Sequence, residues 1–272
     1  MNLKNYKKLK LYLYISNPFY RKLKNNSMKN LHNDDFTGGS KGRKKISVTF
    51  NDGKYTFERA EDNVYILYSK DEHDCVTVII DPETKSVTLS VINSDITLQC
   101  TNTKITNQGS FLLKLTIKTL AIFKERLNIN LIELTDNSAL YCTDINETIK
   151  LADLSFLQYN STWYGRFGFY PKNEQDNSSY EHNKKILSEL KTRNIELTKI
   201  INNYKKQLNN ELKKDMIKYY EKYNNKLFIK WFYKISKLYL KNNCHFFNYF
   251  MNYIYLEYKL KSFYGSSFIR KL

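Results

Sequence analysis

The stretch Trp163-Tyr164-Gly165-Arg166-Phe167-Gly168-Phe169 sets four aromatic side chains around two of the eight glycines in a chain of 272 residues. Trp163, Phe167 and Phe169 are rings of the size that fill cores, and Tyr164 adds a hydroxyl that takes a partner when buried. Ile149–Tyr159, just upstream, reads as a helix, and Pro171, just downstream, cannot continue one. The stretch therefore closes a helix, and the elements before it decide what kind of sheet the chain enters.

Ile129–Leu134 is a short apolar run of the kind a buried strand shows. Phe111–Leu127 carries apolar residues at positions such as Leu112, Leu113, Leu120 and Leu127, too long and too helix-periodic for a strand. Earlier still come β-type runs at Ile46–Phe50, Lys54–Glu58, Val64–Tyr68, Val76–Ile80 and Ser86–Ile92, punctuated by Asn51-Asp52-Gly53 and Asp81-Pro82-Glu83-Thr84. Asp-Gly and Asp-Pro supply positive or fixed φ between strands, so an antiparallel meander is expected. Strands followed by helix, strand and helix make a mixed α/β layout, a mainly antiparallel sheet with flanking helices.

Within that layout, the Trp163–Phe169 stretch resembles the aromatic-Tyr-x-x-aromatic-Gly-Phe signature closing the fourth helix of the GNAT superfamily of acyl-CoA N-acyltransferases. There the Gly-Phe pair turns the chain into the next strand. Lys104-Ile105-Thr106-Asn107-Gln108-Gly109-Ser110, followed by Leu112-Leu113, resembles the same family's acyl-CoA loop. Lys104 falls at its basic position, Asn107 at its first glycine and Gly109 at its second. Asn is the non-glycine residue that best tolerates left-handed geometry, so Asn107 is a plausible substitute for that glycine. The Asp-x-Ser at Asp136–Ser138, taken with the aromatic stretch, looks like a GNAT-like branch found in large DNA viruses.

The resemblance implies that residues 46–171 form a GNAT-like domain transferring an acetyl group from acetyl-CoA, as co-substrate and without a metal, to an unidentified amine. Lys104, Asn107, Gln108, Gly109 and Ser110 would bind the cofactor, because amides at a helix N-terminus hold a pyrophosphate. The strand at Leu134 would splay from its neighbour and pair with the pantetheine arm. Tyr164 would act as general acid, since a phenol near pKa 10 is protonated at neutral pH and can hand a proton to a departing thiolate. Asp136 and Ser138 are substrate-side candidates, although short polar residues ending a strand also serve as turn or cap residues. The chain departs from the family in its Lys and Asn, and in lacking two helices usually found after the first strand.

The flanks differ from the middle in charge. Residues 1–45 hold 12 Lys+Arg against 2 Asp+Glu, residues 46–171 hold 11 against 16, and residues 172–272 hold 21 against 9. The net charges are +10, −5 and +12, so any attraction for polyanions belongs to the ends. Residues 1–45 read as a flexible basic arm and 172–180, rich in Asn, Ser and acidic residues, as a linker. Residues 181–272 read as a long, all-helical, coiled-coil-like basic tail. Ile186, Leu190, Leu197, Ile201, Tyr204 and Leu208 begin an apolar stripe at spacings of 3, 4 and 7, and a second helical stretch covers about 225–263. Such helices pair back on themselves or self-associate, and interleaved Lys, Tyr and Phe also suit nucleic acid. The alternative to the enzyme is thus an inactive GNAT-like scaffold whose basic tail binds nucleic acid or a protein partner.

Cys75, Cys100, Cys142 and Cys244 make no Cys-x-x-Cys, and the four histidines form no triad or metal set. Free thiols in a reducing, cytoplasmic setting, including that of a virus-infected host cell, are expected. No transmembrane segment or cleavable signal is expected either. The apolar stretch Leu9–Tyr14 is short and interrupted by lysine, and Asn242–Leu256 is too polar for a bilayer span.

Overall fold

The turn chemistry of the first half produces the expected meander. The computed structural model describes residues 11–12, 45–50, 53–93, 96–101, 107–142 and 147–272. After a two-residue strand, β1 (Leu11–Tyr12), come β2 (Lys45–Phe50), β3 (Gly53–Glu61), β4 (Val64–Tyr68), β5 (Asp74–Asp81) and β6 (Ser86–Ile92), each antiparallel to the next. At the β5–β6 turn the Asp81 carboxylate accepts from the Glu83 and Thr84 amides and the Thr84 hydroxyl. Helix α1 (Gln108–Leu127) then carries the chain to β7 (Leu131–Thr135), which lies parallel to β6. Asn128, at φ 52°, ends α1 in the left-handed region that Asn tolerates.

The chain divides into two units. Residues 45–137 and Ser267–Leu272 make the sheet unit, and Ser138–Ser266 make the other. In the sheet unit the strand order is β11–β7–β6–β5–β4–β3–β2, where β11 (Ser267–Lys271) runs antiparallel to β7 from Ser267 opposite Thr135 to Lys271 opposite Leu131. Leu112, Leu113 and Leu115 of α1 are buried with Val76, Val78, Val87 and Leu89, and Phe111 meets the rings of Phe50 and Tyr55 at 5.2 and 5.7 Å. Cys75 is the extra residue in β5 where the β4–β5 register slips from Leu67 opposite Val76 to Tyr68 opposite Asp74. Its disulfide to Cys100, with Cα atoms 5.6 Å apart, ties the segment after β6 to that strand.

The second unit opens with the hairpin β8 (Ala139–Cys142) and β9 (Glu147–Lys150) and passes directly into α2 (Leu151–Tyr159), whose Ala152–Leu157 are all buried. A strand of two residues, β10 (Tyr170–Pro171), precedes five helices: α3 (Glu174–Glu189), α4 (Leu197–Asn203), α5 (Asn210–Tyr223), α6 (Phe228–Tyr239) and α7 (Cys244–Glu257). Phe156, Tyr180 and Phe263 form one ring cluster, and Phe228, Trp231, Phe232 and Phe250 another. Cys142 and Cys244 are joined, Cα atoms 5.8 Å apart, fixing the start of α7 to β8.

Several expectations are corrected. The segment expected as a linker at 172–180 is helical from Glu174, because the Asn173 side chain caps it by accepting from the Asp176 amide at 2.7 Å. The stretch expected as a coiled-coil-like tail is five shorter helices with an aromatic core, and the chain returns to the sheet as β11 instead of remaining helical to its end. All four cysteines are paired, so the expectation of free thiols falls, and with it the thiol argument for the cytoplasm. The proposed arm at 1–45 lies almost wholly outside the described residues. Among those residues no helix is long and apolar enough to cross a membrane.

Candidate functional site

β6 and β7 pair only where Ser86–Thr88 face Leu131–Glu133. Beyond that point β6 continues through Ile92 and β7 through Thr135 with no further pairing between them. β6 stays laddered to β5 and β7 to β11, so it is the seam between two intact pairs that comes apart. Because β6 and β7 are parallel, both parted ends are carboxyl ends, the side on which open α/β sheets bind ligands.

A bulge sits at the same place. The β5–β6 register moves from Val78 opposite Leu89 to Thr77 opposite Val91, which leaves Ser90 as the extra residue. Thr77 and Ser90 are both fully buried, and neither hydroxyl has a hydrogen-bond partner among the described residues. Burying a hydroxyl unpaired costs about 1–3 kcal/mol, a cost that calls for an explanation where it is borne twice in adjacent strands.

The first turn of α1 follows β6. Gln108 is buried, and its Nε2 donates to the Asn93 carbonyl at 3.3 Å, fixing the helix start to the residue after β6. Asn107 is the N-cap of α1, at φ −117° and ψ 53°. Its carbonyl accepts from the Phe111 amide at 3.1 Å, the first hydrogen bond of the helix. Gly109 is buried inside the first turn and Ser110 is half-buried. First-turn amides have no acceptor within their own helix, and with the helix dipole they favour an anion. Lys104 lies outside the described residues.

Leu134 is buried in β7 opposite Phe268, and Asp136 is fully buried one residue beyond the strand. Asn107–Ser110, Leu134 and Asp136 thus belong to the sheet unit, whereas Ser138 and Tyr164 belong to the second unit. Ser138 is fully buried, and its carbonyl accepts from the Leu151 amide at 3.0 Å, joining β8 to the start of α2.

Tyr164 opens a 3₁₀ turn (Tyr164–Phe167) and is fully buried, its ring centroid 4.7 Å from that of Trp163 and 5.9 Å from that of Phe169. Gly168, at φ 81°, ends the turn in a backbone state that favours glycine, and Phe169 leads into β10. Gly165 leaves room for the hydrogen bond of 2.8 Å between Ser161 and Tyr180.

Sequence reasoning did not single out Thr77 and Ser90. Their signal is a lone polar residue in each of two otherwise apolar runs, Cys75–Ile80 and Leu89–Ile92. Among the described residues no group of three or more His, Cys, Asp and Glu could hold a metal ion. No protein-family model matches the chain, and no curated protein or solved structure matches it.

Proposed function

We propose that the chain is an acetyl-CoA-dependent N-acyltransferase, with the cofactor taken up between the carboxyl ends of β6 and β7. The observation that carries this reading is the early end of the β6–β7 ladder beside the first turn of α1. Parted strands offer main-chain donors and acceptors to an extended, amide-bearing arm, and the helix start offers amides to a pyrophosphate. The unpartnered hydroxyls of Thr77 and Ser90 at the bulge further support a polar group entering there.

Acetyl-CoA supplies an activated acyl carbon. As the amine nitrogen attacks it, the C–N bond forms, the C–S bond breaks, the nitrogen gives up a proton and the thiolate gains one. Tyr164 would protonate the thiolate, a role that rests on the resemblance of the Trp163–Phe169 stretch alone.

A thermal-shift titration with acetyl-CoA tests the binding step. At 100 times Kd the complex gains about 2.7 kcal/mol of stability, which raises Tm by several degrees. Tyr164→Phe should then lower turnover of a generic amine while sparing binding. No shift at saturating acetyl-CoA would refute the acyltransferase reading, and unchanged turnover in the variant would remove Tyr164 from it.

A further inference from the structure

The second unit carries a concentration of positive charge that acetyl transfer does not use. Residues 205–241 contain eleven lysines and three acidic residues. In α5, Lys214, Lys218 and Lys222 recur every four residues on one exposed stripe, about 6 Å apart along the axis. In α6 and just beyond it, Lys230, Lys234, Lys237 and Lys241 form a second stripe, opposite the buried Phe228, Trp231, Phe232 and Ile235. The two helices pack as a hairpin held by Trp231 Nε1 donating to the Met216 carbonyl at 3.4 Å and the Tyr239 hydroxyl donating to Asp215 at 2.7 Å. The stripes meet at Tyr219, where the ammoniums of Lys218 and Lys234 lie 5.9 and 5.4 Å from one ring centroid.

Among the described residues, no ion pair holds Lys214, Lys218, Lys222, Lys230, Lys234 or Lys237. Only Glu211, Asp215 and Glu221 lie among these lysines, too few to balance them, and a polyanion relieves the repulsion that remains. The main apolar faces of α5 and α6 are spent inside the unit, with Leu212, Met216, Phe228 and Trp231 at most 1% exposed, and only Ile217 and Leu238 stand out to solvent, one from each helix. A helix that lies in a lipid interface must bury such a face there. A ligand held from outside by charge alone fits better.

We propose that the α5–α6 hairpin binds the phosphate backbone of a nucleic acid, without reading its sequence. The test uses the full chain, a labelled mixed-sequence duplex oligonucleotide, and vesicles of phosphatidylcholine with and without phosphatidylserine. With four lysines in contact, affinity for the duplex falls on the order of a hundredfold between 50 and 200 mM salt. Changing Lys214, Lys218, Lys230 and Lys234 together to Gln should flatten that slope by most of its value and leave the far-ultraviolet circular dichroism unchanged. The same four charges removed at Lys70, Lys114, Lys185 and Lys271 should leave most of it. Equal loss in both variants, or full binding retained by the hairpin variant, would overturn the assignment. So would binding to the phosphatidylserine vesicles without binding to the oligonucleotide. Thermal shift by acetyl-CoA should be the same in the hairpin variant and the parent chain, so this result and that of the acyltransferase test are read separately.

Discussion

Two buried carboxylates of the second unit pull in opposite directions with pH. Burial pushes the Asp153 carboxyl above the usual carboxylate range, against the Ser262 hydroxyl at 2.7 Å and the Phe263 amide at 3.3 Å that donate to it. Burial also tends to raise Asp176, but donation from Lys261 and Asn173 together outweighs it and holds that carboxyl below its ordinary 3.8. A raised folded value means that Asp153 favours the fold below pH 3.8 and loses that contribution as pH climbs through its folded pKa. Asp176 is the reverse, favouring the fold above 3.8 and losing that contribution as pH falls through its lowered value. Melting curves from pH 3 to 7 should therefore separate the variants. Asp153→Asn gains on the parent chain as pH rises from 3.8, whereas Asp176→Asn loses on it at neutral pH and converges with it in acid. Gly165 gives a second check at this scale. A Cβ there would lie 2.2 Å from the Tyr180 hydroxyl and 2.5 Å from Ser161 Oγ, so Gly165→Ala should cost about 1–3 kcal/mol in urea unfolding. A change below half a kilocalorie would mean that the Trp163–Phe169 turn is looser than its packing implies.

Among the elements, most of the sheet was legible because its turns are chemically explicit. Asp81-Pro82-Glu83-Thr84 is both a turn signal and an observed set of side-chain hydrogen bonds, and β2 to β7 fall within a few residues of the expected runs. The helical half was misread because asparagine does the work usually done by Gly and Pro. Asn202-Asn203, Asn209-Asn210, Asn224-Asn225 and Asn242-Asn243 each fall at a helix end, and Asn209 caps α5 by accepting from the Glu211 and Leu212 amides. Apolar stripes run through all but the Asn224-Asn225 pair unbroken, so spacing alone suggests two long helices. The candidate site was legible only in part. Gln108 and Gly109 were singled out from a loop pattern, and a splay at Leu134 was expected from a family resemblance alone, because where β6 stops pairing with β7 is not encoded in local pattern. The cysteines were out of reach for the same reason, since 102 residues separate Cys142 from Cys244. Peptide mapping without reductant should recover Cys75 joined to Cys100 and Cys142 joined to Cys244. Replacing the longer-range pair by Ser should cost about 4–5 kcal/mol and the shorter about 3–4, read from urea midpoints, if loop length governs the effect. An inverted order would place the stabilisation in native contacts instead.

At the scale of the whole molecule, the sheet unit is discontinuous. Its residues up to Asn137 and its last strand, β11, are separated in sequence by the whole of Ser138–Ser266. A chain made from its N-terminus therefore completes β7 long before that strand's antiparallel neighbour exists. At a synthesis rate of 5–20 residues per second, the interval is roughly 6–26 s. Throughout it β7 presents the N–H and C=O groups that β11 later covers, a bare edge of the kind that recruits the wrong strand. The nascent protein thus spends seconds as an open template, and the next free strand in a crowded polysome is as apt to belong to a sister chain as to itself.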